Sequence, residues 1–203
     1  MLKLNQALTH LQTVDPVLAG LITRFGKLNY RPPRDRFANL VSTIIGQQLS
    51  AQAADTIYGR FLKLFPHGVY SPDHILQLDD AVIRKVGTSW AKIRSLKDLA
   101  QKMSVGTLDL SRLDALSDEG VISYLTQVKG IGRWTADMKL MFTLHRPDIL
   151  PLADVGIQNA FVLHYGLKRS HKSLPDQMIK IAAPWRPWRT VACWYLWKSL
   201  DNQ

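Results

Sequence analysis

The chain has 203 residues, 26 Lys plus Arg against 16 Asp plus Glu for a net charge of +10, 46% residues of the hydrophobic set and one cysteine. That length supports one domain or two small lobes around a core that needs no metal or disulfide, and the apolar fraction argues against a disordered polyelectrolyte. A lone Cys193 excludes a disulfide framework, a Cys-rich zinc site and a four-cysteine iron–sulfur cluster, and the excess positive charge points to a polyanionic partner.

Helical spacing recurs along the chain, and no segment alternates convincingly with the period of two that a strand needs. Pro32 and Pro33 set the start of a helix from Arg36, whose apolar positions Phe37, Leu40, Val41, Ile44 and Ile45 share one face. The pattern breaks at Gly46-Gln47-Gln48, resumes after Ser50 as an N-cap, and ends at Pro66-His67-Gly68. Shorter helices fit 79–86, 89–103 and 117–127, each opening near Ser or Asp. Beyond Gly132 come helices over 133–144, stopped by Pro147, over 155–165, closed by Gly166, near 176–182, and from about 187 to 200. Eight or nine helices with short connections predict an all-α protein. The start has no basic stretch leading into an apolar run, and nowhere do about 18 apolar residues follow one another, so the chain reads as soluble and intracellular with no membrane partner.

Two segments carry chemistry. The first, Leu125 to Asp137, reads as a helix end, a turn with two glycines around one apolar residue, and a new helix start. Gly130 and Gly132 let the backbone approach another chain, and amides beside a helix N-terminus can hold a phosphate without reading a base. Ile131 plugs the turn into the interior, while Lys129 and Arg133 flank it with positive charge. A plain helix hairpin with a Gly C-cap fits the same residues. In the second segment Asp154 precedes a helical run and fits an N-cap. Capping and catalysis are compatible, since a helix N-terminus favours an ionised carboxylate, and such a group can stabilise an oxocarbenium-like sugar and orient water against its anomeric carbon. A weaker echo of the hairpin runs from Val86 through Gly87 to Trp90. The helix after it carries Lys92, Arg94, Lys97 and Lys102, which fit either phosphate tracking or a solvated basic face. The histidines show no metal-ligand spacing, and His10, His67, His74 and His145 read as surface or turn residues.

The hairpin with its following Arg133-Trp134-Thr135-Ala136, the aspartate 20 positions after that Trp, the block Phe37 to Ser50 and the block Trp185 to Trp197 together resemble the helix–hairpin–helix DNA glycosylase superfamily, in its 3-methyladenine DNA glycosylase II branch. The resemblance covers about residues 35 to 200. It implies a two-lobed helical bundle: 35–146 as a central lobe ending in the hairpin and its second helix, and 1–34 with 147–203 as the lobe carrying Asp154, with DNA crossing the cleft. The roughly 35 residues before the first matched helix leave no room for the N-terminal β domain of some relatives.

By the same resemblance Asp154 is the catalytic aspartate, Trp134, Met138 and Trp197 form the base pocket, and Lys129 to Arg133 hold the DNA backbone. Gln48 would fill the gap left by the flipped base, where some members use leucine. Bifunctional relatives place a lysine at the position of Trp134 to form a Schiff base. An indole there implies a monofunctional enzyme that releases alkylated purines, 3-methyladenine and 7-methylguanine, from duplex DNA in base-excision repair. Met138 replaces a tyrosine of some relatives, and Ala153 a second acid. No cofactor or metal is implied, beyond a Na+ or K+ on main-chain oxygens of the hairpin. The expected protein is a monomer in a bacterial cytoplasm or a eukaryotic nucleus. A non-enzymatic helix–hairpin–helix DNA-binding module explains the charge and glycines equally well, but not an aspartate facing a polyanion. A glycosylase for a neutral lesion such as hypoxanthine is separated only by substrate.

Overall fold

The computed structural model describes residues 3–28, 31, 33, 35–169 and 172–201, and every regular element among them is helical. The α-helices are α1 (Leu4–Val14), α2 (Pro16–Phe25), α3 (Arg36–Gly46), α4 (Ala51–Leu62), α5 (Pro72–Gln77), α6 (Asp80–Lys85), α7 (Trp90–Ser104), α8 (Asp118–Leu125), α9 (Arg133–Phe142), α10 (Val155–Tyr165), α11 (Leu174–Ala182) and α12 (Arg189–Leu200). Three 3-10 turns lie at Pro66–Gly68, Leu110–Ala115 and Ala183–Trp185. The described residues thus hold twelve α-helices where apolar spacing predicts eight or nine. Only Asp15 separates α1 from α2, whose N-cap it forms. The six residues of α5 are too few to establish a period.

The helix starts follow local chemistry. Ser50, Ser89 and Ser117 accept hydrogen bonds from the amides of Ala53, Lys92 and Gly120, which satisfies donors that the first turn of a helix leaves unpaired. At α3 the start is set by Asp35, which accepts from Ala38 N, rather than by prolines. Pro32 lies outside the described residues. No helix among the described residues is long and apolar enough to cross a membrane.

The chain forms two compact units, Pro33–Ala136 and Met1–Pro32 with Asp137–Gln203, so the division falls inside α9 rather than after it at 146. In the first unit, the apolar face of α3 is buried with Ile93, Leu96 and Leu99 of α7. An aromatic cluster adjoins it: Phe61 lies 5.2 Å from Phe65 and 5.5 Å from Tyr70, whose hydroxyl meets that of Tyr58 at 3.0 Å. The second unit buries Val191 to Leu196 of α12 along with Ile157 and Phe161 of α10 and Leu11 and Leu18 near the N-terminus. Buried Asp15 ties these helices together by accepting from Leu18 N at 3.0 Å, Tyr165 OH at 3.0 Å and Trp185 Nε1 at 2.8 Å. Three donors offset the cost of enclosing a carboxylate.

Candidate active site and DNA interface

In the second unit Asp154 is the N-cap of α10 and only 8% exposed. Its Oδ1 accepts from Ile157 N at 2.7 Å and from the indole Nε1 of Trp197 at 2.9 Å. The cap bond follows from local sequence, whereas the indole arrives from α12, 43 residues later. Gly156 makes that approach feasible. A Cβ there would stand 3.0 Å from both Cδ1 and Nε1 of Trp197 and 3.1 Å from Asp154 Oδ1, tighter than ordinary van der Waals contact. Trp197 also lies against Phe142, with ring centroids 5.6 Å apart.

The connection that brings Asp154 to this place is fastened to the start of α12. Buried Thr190 donates its hydroxyl to Arg146 O at 2.6 Å and accepts from Ile149 N at 3.0 Å, and its own amide donates to Pro147 O. Arg189 holds Asp148 through Nε at 2.6 Å and through its carbonyl at 2.7 Å, while Gln158 Nε2 donates back to Leu152 O. One helix therefore positions both the carboxylate and the indole that binds it. Thr190, Asp148, Arg189 and Gly156 went unrecognised in the sequence because their partners are distant in the chain. Cys193, on the same helix, is enclosed. Burial pushes its thiol up, the Asp154 charge adding to the effect and Arg189 opposing it, which fits a core residue rather than a nucleophile.

Trp134, second residue of α9, is 42% exposed, and Met138 follows one helical turn later and is half-buried. Lys139 on the same helix is buried, and desolvation pulls its ammonium down to about 8.

In the first unit the hairpin has the predicted form. Gly130 has φ +79, and a Cβ there would overlap Ser95 Oγ of α7, so the backbone conformation and the close approach both require glycine. Ile131 is buried and its amide closes the turn onto Val128 O at 3.0 Å. Gly132 differs: nothing lies within 4 Å of where its Cβ would stand, so nothing inside the fold demands glycine there. The amides of Gly130 and Gly132 donate to no acceptor among the described residues. Lys129 turns its amide inward to Asp98 Oδ2 at 2.9 Å, leaving its side chain 75% exposed with Nζ 4.0 Å from Asp98. Burial acts to raise Asp98, but hydrogen bonds from Lys102 and the Lys129 amide, with both positive charges, hold it below the usual carboxylate range. Exposed Arg133 pairs with Glu119 at 2.6 Å, an ion pair of the solvent-exposed kind that is worth little in water.

The break after α3 is a tight turn, with Leu49 N donating to Gly46 O, and Gln48 sits exposed at its tip with φ +59. Its neighbour faces the other way. Gln47 Nε2 donates to Gly130 O at 2.9 Å and reaches Thr135 Oγ1 at 3.4 Å, linking the break to the hairpin. The basic helix α7 corrects the sequence reading. Lys92 donates to Ile45 O, Lys97 to the carbonyls of Leu76 and Leu78, and Lys102 to Asp98, so three of its four cations brace the fold and Arg94 alone reads as exposed. Among the described residues no cluster of three His, Cys, Asp or Glu could hold a metal. His145 occupies a turn at φ +51, half-buried edge-on to Trp194, rather than the surface.

Residues 41–187 match the family model described as HhH-GPD superfamily base excision DNA repair protein. The chain is 35% identical over 205 residues to DNA-3-methyladenine glycosylase 1 of Schizosaccharomyces pombe, covering 97% of this chain and 87% of the relative. Its fold matches a solved structure of the Schizosaccharomyces pombe 3-methyladenine DNA glycosylase in complex with abasic DNA, with a TM-score of 0.83, 34% identity and 97% of each chain covered. A DNA-3-methyladenine glycosidase structure from Bacillus halodurans gives a TM-score of 0.84 at 34% identity, covering 97% of this chain and 89% of that one.

Proposed function

The chain belongs to the HhH-GPD superfamily of base-excision DNA repair proteins, and we propose that it is a monofunctional DNA glycosylase hydrolysing the N-glycosidic bond of alkylated purines in duplex DNA. The observation that carries this reading is Asp154, a nearly enclosed carboxylate fixed by a backbone amide and an indole N–H. Alkylation at N3 or N7 makes the purine a cation and a good leaving group. The C–N bond then breaks with its electron pair departing on the base, and positive charge grows on the sugar ring. Asp154 opposes that charge at fixed distance and orients the water that attacks the anomeric carbon, whose proton is lost to solvent. Trp197 acts as a positioning residue for this carboxylate, and Trp197, Met138 and Trp134 are each proposed to contact the flipped base. Stacking on indole favours a cationic purine.

Gly130 and Gly132 would hold a backbone phosphate beside Ile131, with Lys129 and Arg133 exchanging their acidic partners for it, and exposed Gln48 would enter the duplex. No cofactor enters this reading. A Na+ or K+ on hairpin carbonyls such as Val128 O, which accepts from Ile131 N and keeps a second lone pair, would steady the turn without joining the chemistry. We place the enzyme inside the cell, where its substrate lies, acting as a monomer. A panel of duplexes carrying 7-methylguanine, 3-methyladenine, hypoxanthine or a mismatch tests the reading: release of the alkylated purines first is expected, and release of none contradicts it. Borohydride should trap no covalent adduct with an abasic duplex. A trapped adduct contradicts monofunctional chemistry.

A further inference from the structure

Trp90 is 52% exposed, which leaves much of the largest aromatic side chain in solvent. It is the first residue of α7, reached through a turn that parallels the hairpin. In each turn a buried valine, Val86 or Val128, precedes a glycine in the left-handed region, Gly87 at φ +108 or Gly130 at φ +79. Each is followed by an exposed tryptophan in the first two positions of a helix, Trp90 or Trp134.

The surroundings of Trp90 identify its partner. Lys92, two residues on, donates to Ile45 O at 2.7 Å, the last buried residue before the break that carries Gln48. Gly87 packs against Ile57 of α4, the helix that leaves the same break, so closely that a Cβ would stand 3.2 Å from Ile57 Cγ1. One turn further along α7, Ser95 backs Gly130, and Asp98 then receives the Lys129 amide. Gln47 closes the circuit by donating to Gly130 O. Three segments, 46–50, 86–90 and 129–132, are thus fastened together within one unit by α7. Two of them carry the proposed duplex contacts, and exposed Arg94 stands one turn from Trp90. Continuity with that surface and its positive charge select nucleic acid over an apolar protein partner.

We infer that Trp90 is a further contact to the substrate duplex, its exposed indole stacking on a base or sugar beside the position Gln48 enters. This rests on the proposed glycosylase reading. Indole faces stack on any base, so the contact adds affinity at an unstacked site without reading sequence. The test measures affinity of the full chain, by fluorescence anisotropy, for a duplex containing a tetrahydrofuran abasic analogue. Trp90→Ala should bind about tenfold more weakly and Trp90→Phe within about threefold of the parent. The slope of affinity against salt should stay the same, because no phosphate contact is lost. Equal affinity of Trp90→Ala and the parent, or a reduced salt slope, overturns the inference. Excision of 7-methylguanine by the parent, measured alongside, reports separately on the glycosylase reading, since the parent can bind the analogue whether or not it cleaves.

Discussion

Replacing Trp197 by Phe keeps an aromatic ring beside Phe142 and removes the indole N–H that Asp154 Oδ1 accepts at 2.9 Å. A hydrogen bond to a charged group is worth about 1.5–3 kcal/mol, and at 8% exposure water is poorly placed to replace it. If most of that is expressed as misplacement of the carboxylate in the transition state, single-turnover excision of 7-methylguanine falls by about 10- to 100-fold. Affinity for an abasic duplex should stay within about threefold, because the bond orients Asp154 rather than holding DNA. Gly156→Ala reaches the same end from the other side, since its Cβ would push on Cδ1 and Nε1 of Trp197 and on Asp154 Oδ1. Because both variants break one arrangement, the double variant should lose little more than either alone. Normal excision by Trp197→Phe, or fully additive losses in the pair, would refute the positioning role.

The two hairpin glycines should separate stability from binding. Gly130→Ala meets both a positive φ and Ser95, and should cost at least about 2 kcal/mol in denaturant unfolding. Gly132→Ala meets nothing in the fold, so its melting temperature should match the parent while duplex affinity drops about tenfold through one lost backbone contact to a charged oxygen. Lys139 gives a pH signature. Burial holds its folded-state value near 8 against 10.5 for an ordinary lysine, so between these values the unfolded chain binds more protons and stability rises with pH. Unfolding free energy of the parent relative to Lys139→Met should climb by about 2–3 kcal/mol from pH 8 to 10.5 and stay flat below pH 7, as urea titrations across that range will show.

Much of this was legible because it is local. Ser50, Ser89, Ser117 and Asp154 announced helix starts by residue type and position, and the hairpin announced itself by two glycines around Ile131. What escaped depends on long-range polar pairing, which leaves no period in the sequence. Lys92 and Lys97 have the spacing of a solvated face, yet cap carbonyls elsewhere in the unit. Gln47 and Gln48 look alike in sequence, but one is bonded to Gly130 and the other stands exposed. The resemblance gives Trp197 as a wall of the base pocket, a description that does not contain its bond to Asp154. Asp15 shows why such a bond alone does not identify catalysis. It too caps a helix and accepts from an indole, and with Tyr165 as a further donor it serves as a structural clamp.

The central claim is that the charge of Asp154 drives base release. Asn at this position keeps an Oδ1 that can accept from Ile157 N and Trp197 Nε1 and remains a good N-cap, so Asp154→Asn removes charge while leaving the fold in place. Single-turnover release of 7-methylguanine from duplex DNA should fall at least about 100-fold, with melting temperature and duplex affinity close to the parent. Excision by Asp154→Asn within a few-fold of the parent rate would contradict the account.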